Sequence, residues 1–183
     1  MFDAAFKSDF IEGQTQEYRL EDTSGDAIRL LVDWFYTQTI DTTFDLTKLR
    51  ESDPLEAQAL GRAECLALTA LWVLAEKLLI PRLQNMRVDR LEGYRKATEL
   101  VPTNSIVYVY QNTAQESPLR RFLVYACAGH LDPEAYKGIP ERFPQEMLID
   151  LVTLMANNTD REKQRVLRPA SDMTRFYVHD PQQ

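Results

Sequence analysis

Cys127 and His130 stand three residues apart. On a helix that spacing puts them on one face, where a thiol beside an imidazole is the smallest nucleophile and base pair. No third residue that would orient the imidazole is evident nearby. Both also fall at the end of an apolar helix, where a histidine can answer the partial negative charge of the last carbonyls. The expectation is a structural thiol and a helix-end histidine, with a small cysteine-dependent enzyme as the alternative. Metal chemistry finds less support. Cys65 and Cys127 are the only cysteines, and His130 and His179 the only histidines; they lack the close-paired spacing of a structural zinc site. The 6 glycines are scattered and form no phosphate-cradling loop. Adjacent carboxylates such as Glu21 and Asp22 point apart on a strand or turn. No catalytic residue, cofactor or metal is expected.

Contact chemistry is better represented. Trp34, Phe35 and Tyr36 are consecutive, and three successive helical positions cannot all face one core. Phe35 falls on the apolar stripe of its helix, so Trp34 or Tyr36 is a candidate partner contact. The plainer reading has all three packed within the chain, since large aromatics with polar tips sit well at half-buried seams.

The elements that would carry these residues are mostly helical. Residues 2–11 suggest a short helix, Gly13–Gln16 a turn, and Glu17–Leu20 a brief strand with Tyr18 and Leu20 on one face. A helix over 24–38 follows, with Ile28, Leu31, Val32 and Phe35 at i, i+3, i+4 and i+7, and with Thr23 and Asp26 at capping-box spacing. From Asp41 to Gly61 the pattern weakens into a polar, variable loop. Ala63–Leu79 reads as a strongly apolar helix ended at Ile80-Pro81, because proline lacks an amide donor and disfavours helical geometry just before it. Pro81 can open the next helix, to Leu100, with Leu83, Met86, Val88 and Leu91 near helical spacing. Val101-Pro102 marks a boundary, after which Asn104 or Ser105 is free to cap a helix starting at Ile106. The alternation in residues 106–110 also fits a buried strand; helix is preferred. Ser117-Pro118 begins a helix to about His130, and Pro144–Ala156 a last one through Met147, Leu148, Leu151 and Leu154. Residues 159–183 turn polar and charged and read as a mobile tail unless Phe176, Tyr177 and Val178 dock. The fold class is mainly α with a small α+β remnant, divided into units 1–100 and 103–158 and the tail.

Read in order, these pieces resemble a known family. The stretch Phe2–Gly13, the strand-like Glu17-Tyr-Arg-Leu-Glu-Asp, Ala27–Thr37 with its Trp-Phe-Tyr-Thr turn, and Leu71–Leu83 with Leu-Ala-Glu-Lys-Leu-Leu-Ile-Pro-Arg-Leu look like the BTB/POZ domain. The stretch Ile106–Val124 resembles the helical extension that follows BTB domains in many fungal proteins. The likeness covers about residues 1–130. BTB domains open with a strand, a hairpin partner and a helix carrying much of the dimer interface, ahead of the segment aligned with Phe2, and this chain lacks them. The expectation is therefore a fragment or a reduced form whose uncovered apolar surface must find another cover. The resemblance implies protein partners, self-association as a homodimer, and a non-catalytic role. It also draws attention to Phe10, Ile11 and Glu12, which match the hydrophobic residue, any residue, glutamate pattern that BTB adaptors present to a cullin scaffold. Phe10 would fill an apolar pocket and Glu12 anchor its edge; packing of Phe10 inward is the plainer alternative.

Composition bounds the partners further. The chain has 183 residues, enough for one or two domains that bury about two-thirds of their unfolded surface without disulfides. A formal charge of −7, from 21 basic and 28 acidic residues, repels phosphate backbones and anionic lipid. The densest basic stretch, Arg161–Arg168, is interrupted by acid and amide and reads as a solvated charge run. Neither nucleic acid nor membrane is an expected partner: no run reaches the roughly 18 apolar residues a spanning helix needs, and no cleavable leader is evident. With both cysteines in helical apolar patterns, a reducing, intracellular setting is expected, in nucleus or cytoplasm.

Overall fold

The computed structural model describes residues 14–15, 20, 23–39 and 54–160, with side chains from residue 59 onward in the last stretch. The chain is mainly helical, and no strand occurs among the described residues. The helix expected over 2–11 and the strand residues 17–19 lie outside the described residues, as do most of the 41–61 loop and the tail from 161. Leu20, at the end of that strand, belongs to no regular element.

The elements in order are α1 (Gly25–Thr37), α2 (Pro54–Lys77), α3 (Pro81–Thr98), a 3-10 turn (Thr103–Ser105), α4 (Ile106–Asn112), α5 (Pro118–His130), α6 (Pro133–Gly138), a second 3-10 turn (Pro140–Arg142) and α7 (Gln145–Asn158). Proline sits at the first helical position of α3, α5 and α6, where its missing N–H costs nothing and its fixed φ suits the helix. The same logic corrects the 41–61 loop: helix begins already at Pro54, so residues 54–61 belong to α2. Residues 106–110 are helix rather than strand. There Asn112 Nδ2 and Thr113 Oγ1 donate to the Tyr108 and Val109 carbonyls at 2.8 and 2.7 Å, closing the last turn.

α2 is the spine. Every residue from Leu68 to Ala75 is buried, so this 24-residue helix has no solvent stripe over that span and must be covered all round. One side carries Leu71, Leu74, Ala75 and Leu78 into a cluster with Ala27, Leu30, Leu31 and Trp34 of α1 and Leu83 of α3. The other carries Cys65, Leu68, Trp72 and Val73 into a larger cluster that reaches Leu91, Ile106, Leu119, Leu123, Met147 and Leu151. That second cluster draws on residues before and after the 101–102 junction. Buried Thr69 is satisfied locally, its hydroxyl donating to the Cys65 carbonyl at 2.7 Å.

α1 does pack on α2, but through a different stripe. The buried residues are Ala27, Leu30, Leu31 and Trp34, whereas Val32 and Phe35 are each 45 % exposed and Ile28 is half-buried. Both quartets have i, i+3, i+4, i+7 spacing and differ by one residue, a turn of about 100° about the axis. Leu31 belongs to both quartets, and Ala27, Leu30 and Trp34 offer about as much apolar area as Ile28, Val32 and Phe35, so the choice rests on how each face fits α2 and not on area alone. The cap is also displaced by one: Ser24 Oγ, not Thr23, accepts from the Ala27 N–H at 3.2 Å. In α3 the buried residues are Leu83, Arg87, Leu91 and Tyr94, so Met86 and Val88 are only half-buried. In α7 the buried residues are Met147 and Leu151, while Leu148 is exposed. The expected cap at Ile106 is not made. Ser105 Oγ has no partner, and Asn104 Nδ2 instead donates to the Arg62 carbonyl at 2.8 Å.

The α2–α3 connection is a Schellman-type stop. Leu79 takes a left-handed φ of 55°, the Ile80 N–H donates to the Ala75 carbonyl at 2.8 Å and the Leu79 N–H to that of Glu76 at 3.0 Å. Lys77 is therefore the last helical residue, two short of the expected Leu79, before Pro81 starts α3. At the other end of α2, Gly61 lets the Tyr94 ring lie against the backbone: a Cβ there would overlap the phenol oxygen and sit 2.8 Å from Cζ.

Candidate functional site

The two residues with the smallest possible catalytic kit are placed in different environments. Cys127 is fully buried in α5, and burial pushes its thiol up to about 12. His130 is exposed at the last turn of the same helix. The Cys127 carbonyl accepts from the Leu131 N–H at 3.1 Å and from the Tyr136 hydroxyl at 3.1 Å, so this stretch is bound up in closing α5 and docking α6. Cys65 is likewise buried and free, its thiol raised to about 12 by burial first and by the Glu64 charge second. A nucleophilic cysteine needs a lowered pKa and access; both thiols have the reverse. Among the described residues no group of histidines, cysteines and carboxylates is arranged to hold a metal ion.

The candidate contact residues fall into three groups. Phe10, Ile11 and Glu12 lie outside the described residues. Trp34 is buried at 6 % exposure against α2, which removes it as a surface contact, and its indole Nε1 has no hydrogen-bond partner. Tyr36 is 87 % exposed and remains a surface aromatic. Beside it on α1, Val32 and Phe35 leave the helix with an apolar outer face, because the stripe that meets α2 is turned away from them.

A second apolar face, not anticipated from the sequence, lies on α7. Met147 and Leu151 enter the core, while Leu148, Ile149, Val152 and Met155 are exposed, Val152 at 64 %. Positions 148, 152 and 155 follow i, i+4, i+7, so this is a second stripe on a helix whose first stripe is already used. The signal was available: seven apolar residues in Gln145–Asn158, Met147, Leu148, Ile149, Leu151, Val152, Leu154 and Met155, exceed what one core-facing stripe can absorb. Tyr125 of α5, 63 % exposed, lines a cleft of about 240 Å³ between α5 and α7 together with Thr153 and Leu154.

Behind that face α4, α5 and α7 are locked by a polar network. Arg120, 6 % exposed, donates to the Tyr110 carbonyl at 2.7 Å, to the Thr113 carbonyl, to Thr113 Oγ1 at 3.1 Å and to Glu146 Oε2 at 2.7 Å. Its guanidinium lies 4.3 Å from the Tyr110 ring centroid, a cation–π contact. Tyr110 in turn donates to Asp150 Oδ2 at 2.7 Å, and burial, with that carboxylate, holds the phenol protonated well above its usual range. The network positions α7 rather than presenting a reactive group.

Arg87, 1 % exposed in α3, is the other buried cation. Its Nε and Nη1 have no hydrogen-bond partner. Burial brings its pKa down to about 10, against the opposing pull of the Glu64 carboxylate. Arg87 and Arg120 share one feature of the sequence. Arg87 is four residues from both Leu83 and Leu91, and Arg120 is four from Val124 and seven from Cys127, so each arginine lies in line with an apolar stripe.

No helix among the described residues is long and apolar enough to cross a membrane. No model of a known protein family matches the chain, and no curated protein or solved structure matches it.

Proposed function

We propose that this chain is a non-catalytic protein–protein interaction module of the BTB/POZ type that associates with itself. The observation that carries the reading is the apolar outer face of α7, where Leu148, Ile149, Val152 and Met155 stay exposed while Met147, Leu151 and the Tyr110–Asp150 hydrogen bond hold the helix on the core. Apolar residues presented in a row on a fixed helix gain by burial against a partner, at about 25 cal/mol per Å². Tyr36 with Val32 on α1 supplies a further exposed apolar surface. The buried, protonated thiols support the absence of chemistry from the proposal. Helical character and the packing of Ala27–Trp34 on α2 are compatible with the BTB/POZ resemblance.

The test is sedimentation equilibrium on the full chain and on Ile149→Glu with Val152→Glu. A dimer or larger species in the parent that dissociates in the double variant, with far-UV circular dichroism unchanged, is the expected result. A parent that stays monomeric across the concentration range, or a double variant that associates equally well, overturns self-association through α7.

A further inference from the structure

A cleft of about 210 Å³ opens where α2, the end of α3, the 99–104 junction and the segment after α5 meet. Two arginines line it, Arg62 of α2, whose charge acts on the lining phenol of Tyr94, and Arg142 of the second 3-10 turn, whose guanidinium reaches the lining Thr103. Neither forms an ion pair among the described residues, unlike Arg29, Arg95 and Arg120. The frame around them is tied. Asn104 Nδ2 donates to the Arg62 carbonyl at 2.8 Å, and Arg142 Nη1 donates to Thr103 Oγ1 at 3.0 Å, with Thr103 itself buried. Guanidinium carries five N–H donors in a planar fork, so Arg142, held by one, keeps the others for a ligand.

Charge and size narrow that ligand. Glu99 is the one carboxylate in the lining, and two positive groups against one negative leave a single net positive charge. That suits a monoanion better than a dianionic phosphate, and it stands out in a chain of formal charge −7. The remaining wall is largely apolar: Leu100, Val101, Pro102, Leu131 and Ile139. Such a wall favours an organic body over a bare ion. Pockets for drug-sized molecules run from about 300 to 1,000 Å³, so this cleft takes something of metabolite size.

We infer that the cleft binds a small organic monocarboxylate, its carboxylate paired with Arg62 and Arg142 and its short apolar body against Val101, Pro102, Leu131 and Ile139. Planar guanidinium matches carboxylate geometry with two parallel hydrogen bonds. The site is separate from the α7 face and does not depend on self-association.

The experiment is titration of the isotope-labelled full chain with isocaproate, followed by amide chemical shifts. Isocaproamide serves as the neutral isostere and inorganic phosphate as the bare anion. Saturable shifts confined to residues around 62, 99–104 and 139–142 are expected with isocaproate, with isocaproamide and phosphate each much weaker. Arg62→Gln and Arg142→Gln should each weaken isocaproate about five- to tenfold. Arg62 is exposed, so Arg62→Gln remains decisive if Arg142→Gln disturbs the Thr103 contact. Absence of saturable shifts, equal binding of the amide, tighter binding of phosphate, or an unchanged affinity in Arg62→Gln overturns the assignment.

Discussion

Arg120 shows how much one side chain can hold. Its donors serve two backbone carbonyls that face the interior, while its carboxylate partner Glu146 is 69 % exposed. Truncating the two ends of that pair should therefore have unequal consequences. Arg120→Ala strips donors from buried carbonyls and removes the cation over Tyr110, and should cost about 2–4 kcal/mol. Glu146→Ala removes only a screened surface partner and should cost at most about 1 kcal/mol. Urea unfolding of the two variants, followed by tryptophan fluorescence, reads the difference; equal losses would mean that the ion pair, and not the backbone contacts, carries the effect. The sequence does not mark Arg120 or Arg87 as buried, although both stand in line with apolar stripes. An arginine in such a position reads by default as a boundary of the apolar face, because the cost of burying its charge is large unless partners from distant segments are supplied. Those partners, Thr113 and Tyr110 for Arg120, come from the preceding helix and loop and have no local signature.

At the level of elements, some helix limits are legible from a proline or an N-cap: α1 is expected over 24–38 and runs Gly25–Thr37, and α5 opens at Pro118 behind Ser117, whose hydroxyl accepts from the Leu119 N–H at 3.3 Å. Which face turns inward was less legible, because two quartets one residue apart have the same period and only the partner helix chooses between them. α1 chose Trp34; α7 kept both of its stripes. Pro54 reads as a loop residue because the positions after it lack strong periodicity, yet it opens α2. The stop of α2 is a further local feature with a measurable consequence. Leu79 holds φ 55° and is 77 % exposed, so it bears the left-handed penalty of about 1–2 kcal/mol for a residue with a Cβ while burying little. Leu79→Gly relieves that penalty and incurs the smaller flexibility cost of about 0.5–1 kcal/mol, so a net gain of roughly 0.5–1 kcal/mol is expected in urea midpoint stability. A loss instead would mean that the exposed leucine is covered in solution, which would direct attention to this turn as a contact.

For the whole molecule, burial of ionisable groups predicts a distinct alkaline response. Cys65 and Cys127 are both raised from 9.0 to about 12 in the folded chain. Between those values the unfolded chain has released thiol protons that the folded chain retains. The stability they contribute is therefore complete below about pH 9 and falls as pH rises toward 12. Buried Tyr94 and Tyr110 and half-buried Tyr108 and Tyr136 shift in the same direction and add to the fall. Arg87, lowered to about 10, works the other way above that pH. Urea midpoints should hold from pH 7 to about 8.5 and decline through pH 10, and Cys65→Ala with Cys127→Ala should flatten part of that slope. A slope unchanged by the double substitution would mean the thiols are reached by solvent.

The last consequence comes from α2, whose span 68–75 is enclosed on all sides. Because α1 leans on one flank of this rod and α4, α5 and α7 on the other, neither half owns a complete interior. Loosening one flank wets a surface on which the other depends, so the two sides are tied to a common fate: the molecule should melt in a single step, and damage to Trp34 should be felt at Leu123 although the two never meet.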